Sequence, residues 1–299
     1  MKRQLKIADV IVGIDSRDLP WDFSSGSPYD SFLVREPEEH VHVEVHWHGL
    51  DRKNFGDEVF SARDVPDRVS PNWCLYRDLQ GLWALEVNTS VHSVFRQRVA
   101  VFGTDLRHGE LYVDLAHRDL AVYPYPLGAP LDRVLFVNLI AQGLGVMLHA
   151  CGIVCDGKGY IFAGPPEAGK TTLARLWSRF GDATVLGDEC LILRRKGEQF
   201  WVYGTPWVGE AGLCSPVGAP TEGIFFIRHD LGNLLTPIAP ERAVERLLAQ
   251  SFLAPYDASA VGFGLDFCLG FVADVPAFDF GFVPEASAVR LIQSLSIHA

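Results

Sequence analysis

The chain has 299 residues, enough for one large core or two ordinary ones, and its 48% apolar and 21% charged residues are the make-up of a globular protein. Its formal net charge of −11 argues against a nucleic-acid groove or an anionic membrane surface as the main partner, because either would repel it, while a local basic pocket for phosphates stays allowed. Six cysteines are scattered without a C-x-x-C pair, and the first segment reads as a strand instead of a secretory core, which together point to a reducing, cytoplasmic setting.

Residues 1–125 read as a β-rich N-terminal domain suited to recognising a partner. The short alternating runs HVHVEVHW, LWALEVN, SVFRQRVAVFG and LYVDL are separated by turn-rich stretches. In the first of them His40, His42, Glu44, His46 and His48 share one face by the period of two, with Val41, Val43, Val45 and Trp47 on the other. Imidazoles and a carboxylate are competent Zn²⁺ ligands, but alternate residues on a strand stand about 7 Å apart, so a polar strand face is the expectation. AVYPYPLGAPLD then closes the domain, because three prolines and a glycine cannot continue regular structure.

Residues 126–299 form the second domain. A helix is expected over Asp132 to Leu144 from the pattern Val134, Leu135, Leu139, Ile140 and Leu144. Val134 to Cys155 contains no Asp, Glu, Lys or Arg, which raises a membrane-spanning reading. However, Asn138, Gln142, Gly143, Gly145 and His149 interrupt it, and a buried helix followed by a buried strand is expected instead. VMLHACGIVC reads as a strand, DGKG as a tight turn and YIFAG as the returning strand. KTTLARLWSRF follows as a helix and ATVLGDE as a buried strand, then CLILRR and QFWVYG as a strand pair. GIFFIR reads as a further strand, and PERAVERLLAQSF and PEASAVRLIQSL as helices, with Pro240 near the first turn of one and Pro284 ahead of the other.

The chemistry concentrates in GPPEAGKTT, which fills Gly164, Pro165, Pro166, Glu167, Ala168, Gly169, Lys170, Thr171 and Thr172 and matches G-x-x-x-x-G-K-[ST]. Backbone N–H groups of such a loop converge on phosphate oxygens, the following helix presents its positive end, Lys170 adds a full charge and the Thr171 hydroxyl can ligate Mg²⁺. Asp188 and Glu189 end an apolar run 18 residues after Lys170. Two adjacent acids allow one to address the metal and the other to accept a proton from an acceptor hydroxyl; a plain hydrolytic acid pair or a solvated turn is the other reading. His149 lies 15 residues before Gly164, and the intervening hairpin returns the chain toward the loop. By itself such a histidine is more often a hydrogen-bonded core residue.

A strand beginning His-x-x-G, a hairpin, a phosphate loop and an acidic pair together resemble the HPr kinase/phosphorylase group, whose nucleotide fold is shared with ATP-dependent phosphoenolpyruvate carboxykinase. YPYPLGAPLDRVLFVNLIAQGLGVMLHACGIV and YGTPWVGE resemble more closely the HPr-kinase-related proteins of gene clusters for ribosomally made, modified peptides. The resemblance implies an α/β fold with a mixed sheet and an ATP- and Mg²⁺-dependent kinase acting on a serine or threonine hydroxyl of a peptide precursor or small protein. A homo-oligomer is compatible with it. It implies Asp188 as general base with His149 beside it, and Thr171 and Glu189 as metal-side groups. Glu210 would reach the metal or substrate and Trp207 would wall the pocket, although a structural turn fits that segment as well. Arg228, Arg242 and Arg246 are candidates for charge stabilisation, against the commoner surface role of such arginines. GPPEAGKTT departs from the serine-containing loop usual in the family, and no downstream HPr-kinase signature follows the acidic pair, which argues against HPr itself as acceptor. The competing functions are a nucleotide-dependent module that delivers a peptide without phosphorylating it, and a kinase of a small molecule such as free serine.

Overall fold

The computed structural model of the chain describes residues 1–62, 73–88 and 93–295. Its contacts divide it into two units, Met1–Leu139 and Ile140–Ala299.

The first unit is built from β1 (Lys2–Ile7), β2 (Val10–Ser16), β3 (Trp21–Asp22), β4 (Leu33–Val34), β5 (Val41–His46), β6 (Asp57–Ser61), β7 (Trp73–Arg77), β8 (Trp83–Asn88), β9 (Phe95–Phe102), β10 (His108–Leu115) and β11 (Tyr123–Pro124). Nine of them form one sheet in the order β4-β1-β2-β5-β10-β9-β8-β7-β6, with β5 parallel to both its neighbours. The alternation read in β5 is present: Val41, Val43 and Val45 are buried while His42, Glu44 and His46 are half-buried on the other face. His46 and His48 pack against each other and share Tyr112, while His40 and His42 have other partners. His42 pairs with Glu39, His46 stacks on Tyr112, and His40 Nδ1 accepts from the Ile11 amide. Among the described residues no group of three or more His, Cys, Asp or Glu is placed to hold a metal.

The unit ends later than the proline-rich segment alone suggests, after Leu139 and not after 125. The reason is Arg98, a buried guanidinium on β9 whose nitrogens donate to the backbone carbonyls of Pro126, Gly128 and Ala129. Tyr29 also hydrogen-bonds Asp132, and β11 pairs with β3, so α1 (Leu131–Ile140) is tied to the sheet that precedes it. None of the helices among the described residues is long and apolar enough to cross a membrane; the uncharged stretch from Val134 is α1 followed by strands.

The second unit is mixed α/β. Its elements are β12 (Gly145–Leu148), β13 (Ala150–Cys155), β14 (Lys158–Ala163), α2 (Lys170–Phe180), β15 (Thr184–Gly187), β16 (Leu191–Lys196), β17 (Gln199–Gly204), β18 (Gly218–His229), β19 (Leu234–Pro237), α3 (Pro240–Ala249), β20 (Ser251–Phe252), α4 (Ala258–Asp274), β21 (Ala277–Phe282) and α5 (Ala286–Gln293). The strand order is β15-β13-β14-β18-β17-β16-β12-β20, and β21 adds to β18 with β19 beside it. β13 and β14 form the expected antiparallel hairpin, but β14, β18 and β21 run parallel. Strand residues alternate between two cores, as the period of two requires. Cys151, Ile153 and Phe162 pack with Leu173 and Trp177 of α2 and Val289 of α5, whereas Ala150, Ile161 and Ala163 share a core with Leu247 of α3 and Phe271 of α4. The sheet thus lies between two helical layers.

Glu86 on β8 is a fully buried carboxylate. Burial raises its pKa, but hydrogen bonds from Arg52, Gln97 and Tyr76 outweigh that and hold it below the ordinary 4.5. Its contribution is therefore present above that value and lost as pH falls through the lowered one. Arg52→Ala is expected to destabilise the chain by roughly 1–3 kcal/mol at pH 7. That deficit should shrink on acidification below 4.5, read by denaturant melts across pH; a deficit independent of pH would refute the ion-pair account.

Candidate functional site

The hairpin delivers the chain from β14 into the glycine loop at residues 164–169, and α2 starts at Lys170. Glu167 (φ 65°) and Gly169 (φ 105°) are both left-handed. A non-glycine residue in that region is strained, and alternating backbone hands turn successive N–H groups toward one point. A Cβ on Gly169 would also meet Phe282 Cζ at 2.7 Å and His229 Cε1 at 3.0 Å. Gly169 caps α2 without any side chain to satisfy the helix's first amides, so that helix end is open to an anion.

Lys170 is buried, and its Nζ donates to the carbonyls of Gly164 (2.7 Å) and Pro165 (3.0 Å). Burial pushes its ammonium below the ordinary value, partly opposed by Glu189, Cys151 and Asp188. Thr171 donates from its hydroxyl to Asp188 Oδ2 at 2.8 Å. Asp188 is 2% exposed and also accepts from the amides of Gly209 (3.1 Å) and Ala211 (3.0 Å), which puts the GTPWVGE segment to structural use.

His149 occupies the break between β12 and β13, which the sequence presents as a single strand. Its amide leaves the ladder to donate to Gln250 (2.7 Å). The ring stands against Glu189: Nδ1 is 3.0 Å from the Glu189 carbonyl and 3.6 Å from its carboxylate. A carbonyl only accepts, so Nδ1 carries the hydrogen and Nε2 is the acceptor nitrogen of the neutral ring.

These groups meet around one cavity of about 460 Å³. Pro166, Glu167, Gly169, Lys170, Thr171 and Thr172 supply the loop side; Asp188, Glu189, Glu210 and His149 supply the other, and Gly164, Pro165 and Ala168 are not part of the lining, Gly164 and Ala168 being buried and Pro165 exposed. Trp207 is buried and does not line it, nor do Arg228, Arg242 and Arg246. Arg228 pairs with Asp230, and Arg246 pairs with Asp279 over the Phe226 ring. Arg175 and His229 line it instead, together with Lys170. Arg175 was legible, being one turn beyond Thr171 on the same helix face. It donates to the Glu210 carbonyl at 3.1 Å. His229 was not, because it reaches the loop through the parallel pairing of β18 with β14.

No family model and no curated protein matches this chain. Among solved structures, the HPr(Ser) kinase/phosphatase from Coxiella burnetii is similar over 49% of this chain and 95% of that one, at 13% identity and a TM-score of 0.29.

A Cβ on Gly209 would lie 2.8 Å from Asp188 Oδ2. Gly209→Ala should therefore cost about 1–3 kcal/mol by overpacking and push the carboxylate off Thr171. An unchanged melting temperature together with an unshifted Asp188 in a crystal structure of the variant would contradict this.

Proposed function

We propose that this chain is an ATP- and Mg²⁺-dependent kinase that transfers the γ-phosphate to a serine or threonine hydroxyl of a peptide precursor or small protein. The observation that carries the reading is the hydrogen bond from Thr171 to Asp188 beneath an uncapped helix end. A hydroxyl directly after the loop lysine, touching a carboxylate from a neighbouring strand end, is the donor set that a nucleotide-bound Mg²⁺ takes. When bound, Mg²⁺ neutralises the phosphate oxygens.

The geometry favours a different division of labour from the one the resemblance implies. Asp188 already accepts three hydrogen bonds and touches Thr171, so it belongs to the metal side. Glu189, with His149 against it, belongs to the acceptor side and takes the hydroxyl proton as the new oxygen–phosphorus bond forms and ADP departs. Lys170 holds the distal phosphates, Arg175 adds charge at the other wall, and Glu210 stands at the rim as a further acid. Every lining residue falls between His149 and His229, so recognition of the acceptor is assigned to residues 1–139.

The test is mass spectrometry of candidate peptides incubated with ATP and Mg²⁺, alongside nucleotide-binding measurements. Lys170→Ala should lose nucleotide binding. Asp188→Asn should lose the Mg²⁺-dependent part of nucleotide affinity, whereas Glu189→Gln should bind normally and transfer about 10²–10⁴-fold more slowly. The reverse pattern would return the base role to Asp188. Nucleotide binding with no phosphate gained by any partner would leave a peptide-delivery module in place of a kinase.

A further inference from the structure

A second cavity, of about 410 Å³, adjoins the first and shares Thr172 and Arg175 with it. Its floor is the exposed side of α2, where Thr172, Arg175, Leu176, Arg179 and Phe180 follow one another at helical spacing. The opposite side of that helix, Leu173, Ala174 and Trp177, is in the core. Pro284, Glu285 and Ala286, at the start of α5, form the facing wall.

We infer that this groove holds the nucleoside of the bound triphosphate; the inference rests on the phosphate-loop reading above and extends it to a separate set of residues. The direction follows from the loop. Lys170 reaches the distal phosphates and Thr171 the metal, so the proximal phosphate and whatever it carries leave past Thr172, which with Arg175 lines both cavities.

The wall chemistry suits a flat heteroaromatic group bearing hydroxyls. Leu176, Phe180 and Pro284 are apolar, and Phe180 is left 47% exposed. The Arg179 guanidinium lies 5.0 Å from the centre of the Phe180 ring, a cation–aromatic pair against which a base can stack. The Glu285 carboxylate disfavours a second phosphate there and can accept from ribose hydroxyls or a base amine.

The experiment compares ATP with inorganic tripolyphosphate, both with Mg²⁺, by calorimetry on the full chain and on two variants. Phe180→Asp removes the platform at a position that solvent already reaches, and Ala286→Trp fills the groove from the other wall. Both variants should bind ATP roughly tenfold or more weakly, the size of one lost stacking contact, while tripolyphosphate affinity stays at the wild-type level. Unchanged ATP affinity in both variants overturns the assignment and leaves the phosphate loop intact. So does a wild-type chain that binds tripolyphosphate as tightly as ATP. Loss of peptide phosphorylation at unchanged ATP affinity would give the groove to the acceptor and overturn the assignment. A wild-type chain that binds neither probe removes the phosphate-loop reading and this inference with it.

Discussion

Asp188 is nearly out of contact with water, and a carboxylate so placed must find donors or disrupt whatever surrounds it. It finds them on two separate stretches: the hydroxyl of Thr171 at the start of α2, and the amides of Gly209 and Ala211 after β17. One side chain therefore fixes the helix that follows the glycine loop against the segment that walls the cavity. Arg175 repeats the link one turn along, from α2 to the Glu210 carbonyl. The site is assembled around these connections, and the loop's own strained backbone is affordable only inside such a frame.

The sheet supplies the other half of the constraint. β14 and β18 run parallel and both end at the loop, so Gly164 and His229 arrive from adjacent strands. With α2 and α5 covering one face and α3 and α4 the other, those strand ends have little freedom. A chain of strongly negative net charge can in this way present Lys170, Arg175 and two histidines to one cavity.

Much of this was readable from the residues. The hairpin, the loop, the helix after it and the acidic pair all announce themselves through local patterning, because each is specified by neighbours in sequence. The 17-residue helix α4 does not: it is apolar on most sides and carries three glycines, so it shows neither a clear stripe nor a good propensity. β19 and β21 pair only through long-range contacts and were equally silent. Which acid faces His149 was hard to read for a related reason. Asp188 and Glu189 are adjacent in the chain, and only the backbone's course decides that one faces Thr171 and the other the imidazole. The division between units was placed too early because a buried arginine that reads backbone carbonyls leaves no mark in the segment it binds.

The interruption at His149 has a bearing on how such a site can change over time. Its amide is bonded to Gln250, at the end of α3, and β12 on its near side pairs with β20 directly beyond that residue. The glycine-loop groups are carried instead by β14 and α2. The two flanks of the cavity are thus mounted on different strands and answer to different helices. Substitutions around α3 and β20 can re-aim the imidazole without retouching the loop, so one flank of the cavity can drift while the other stays constant.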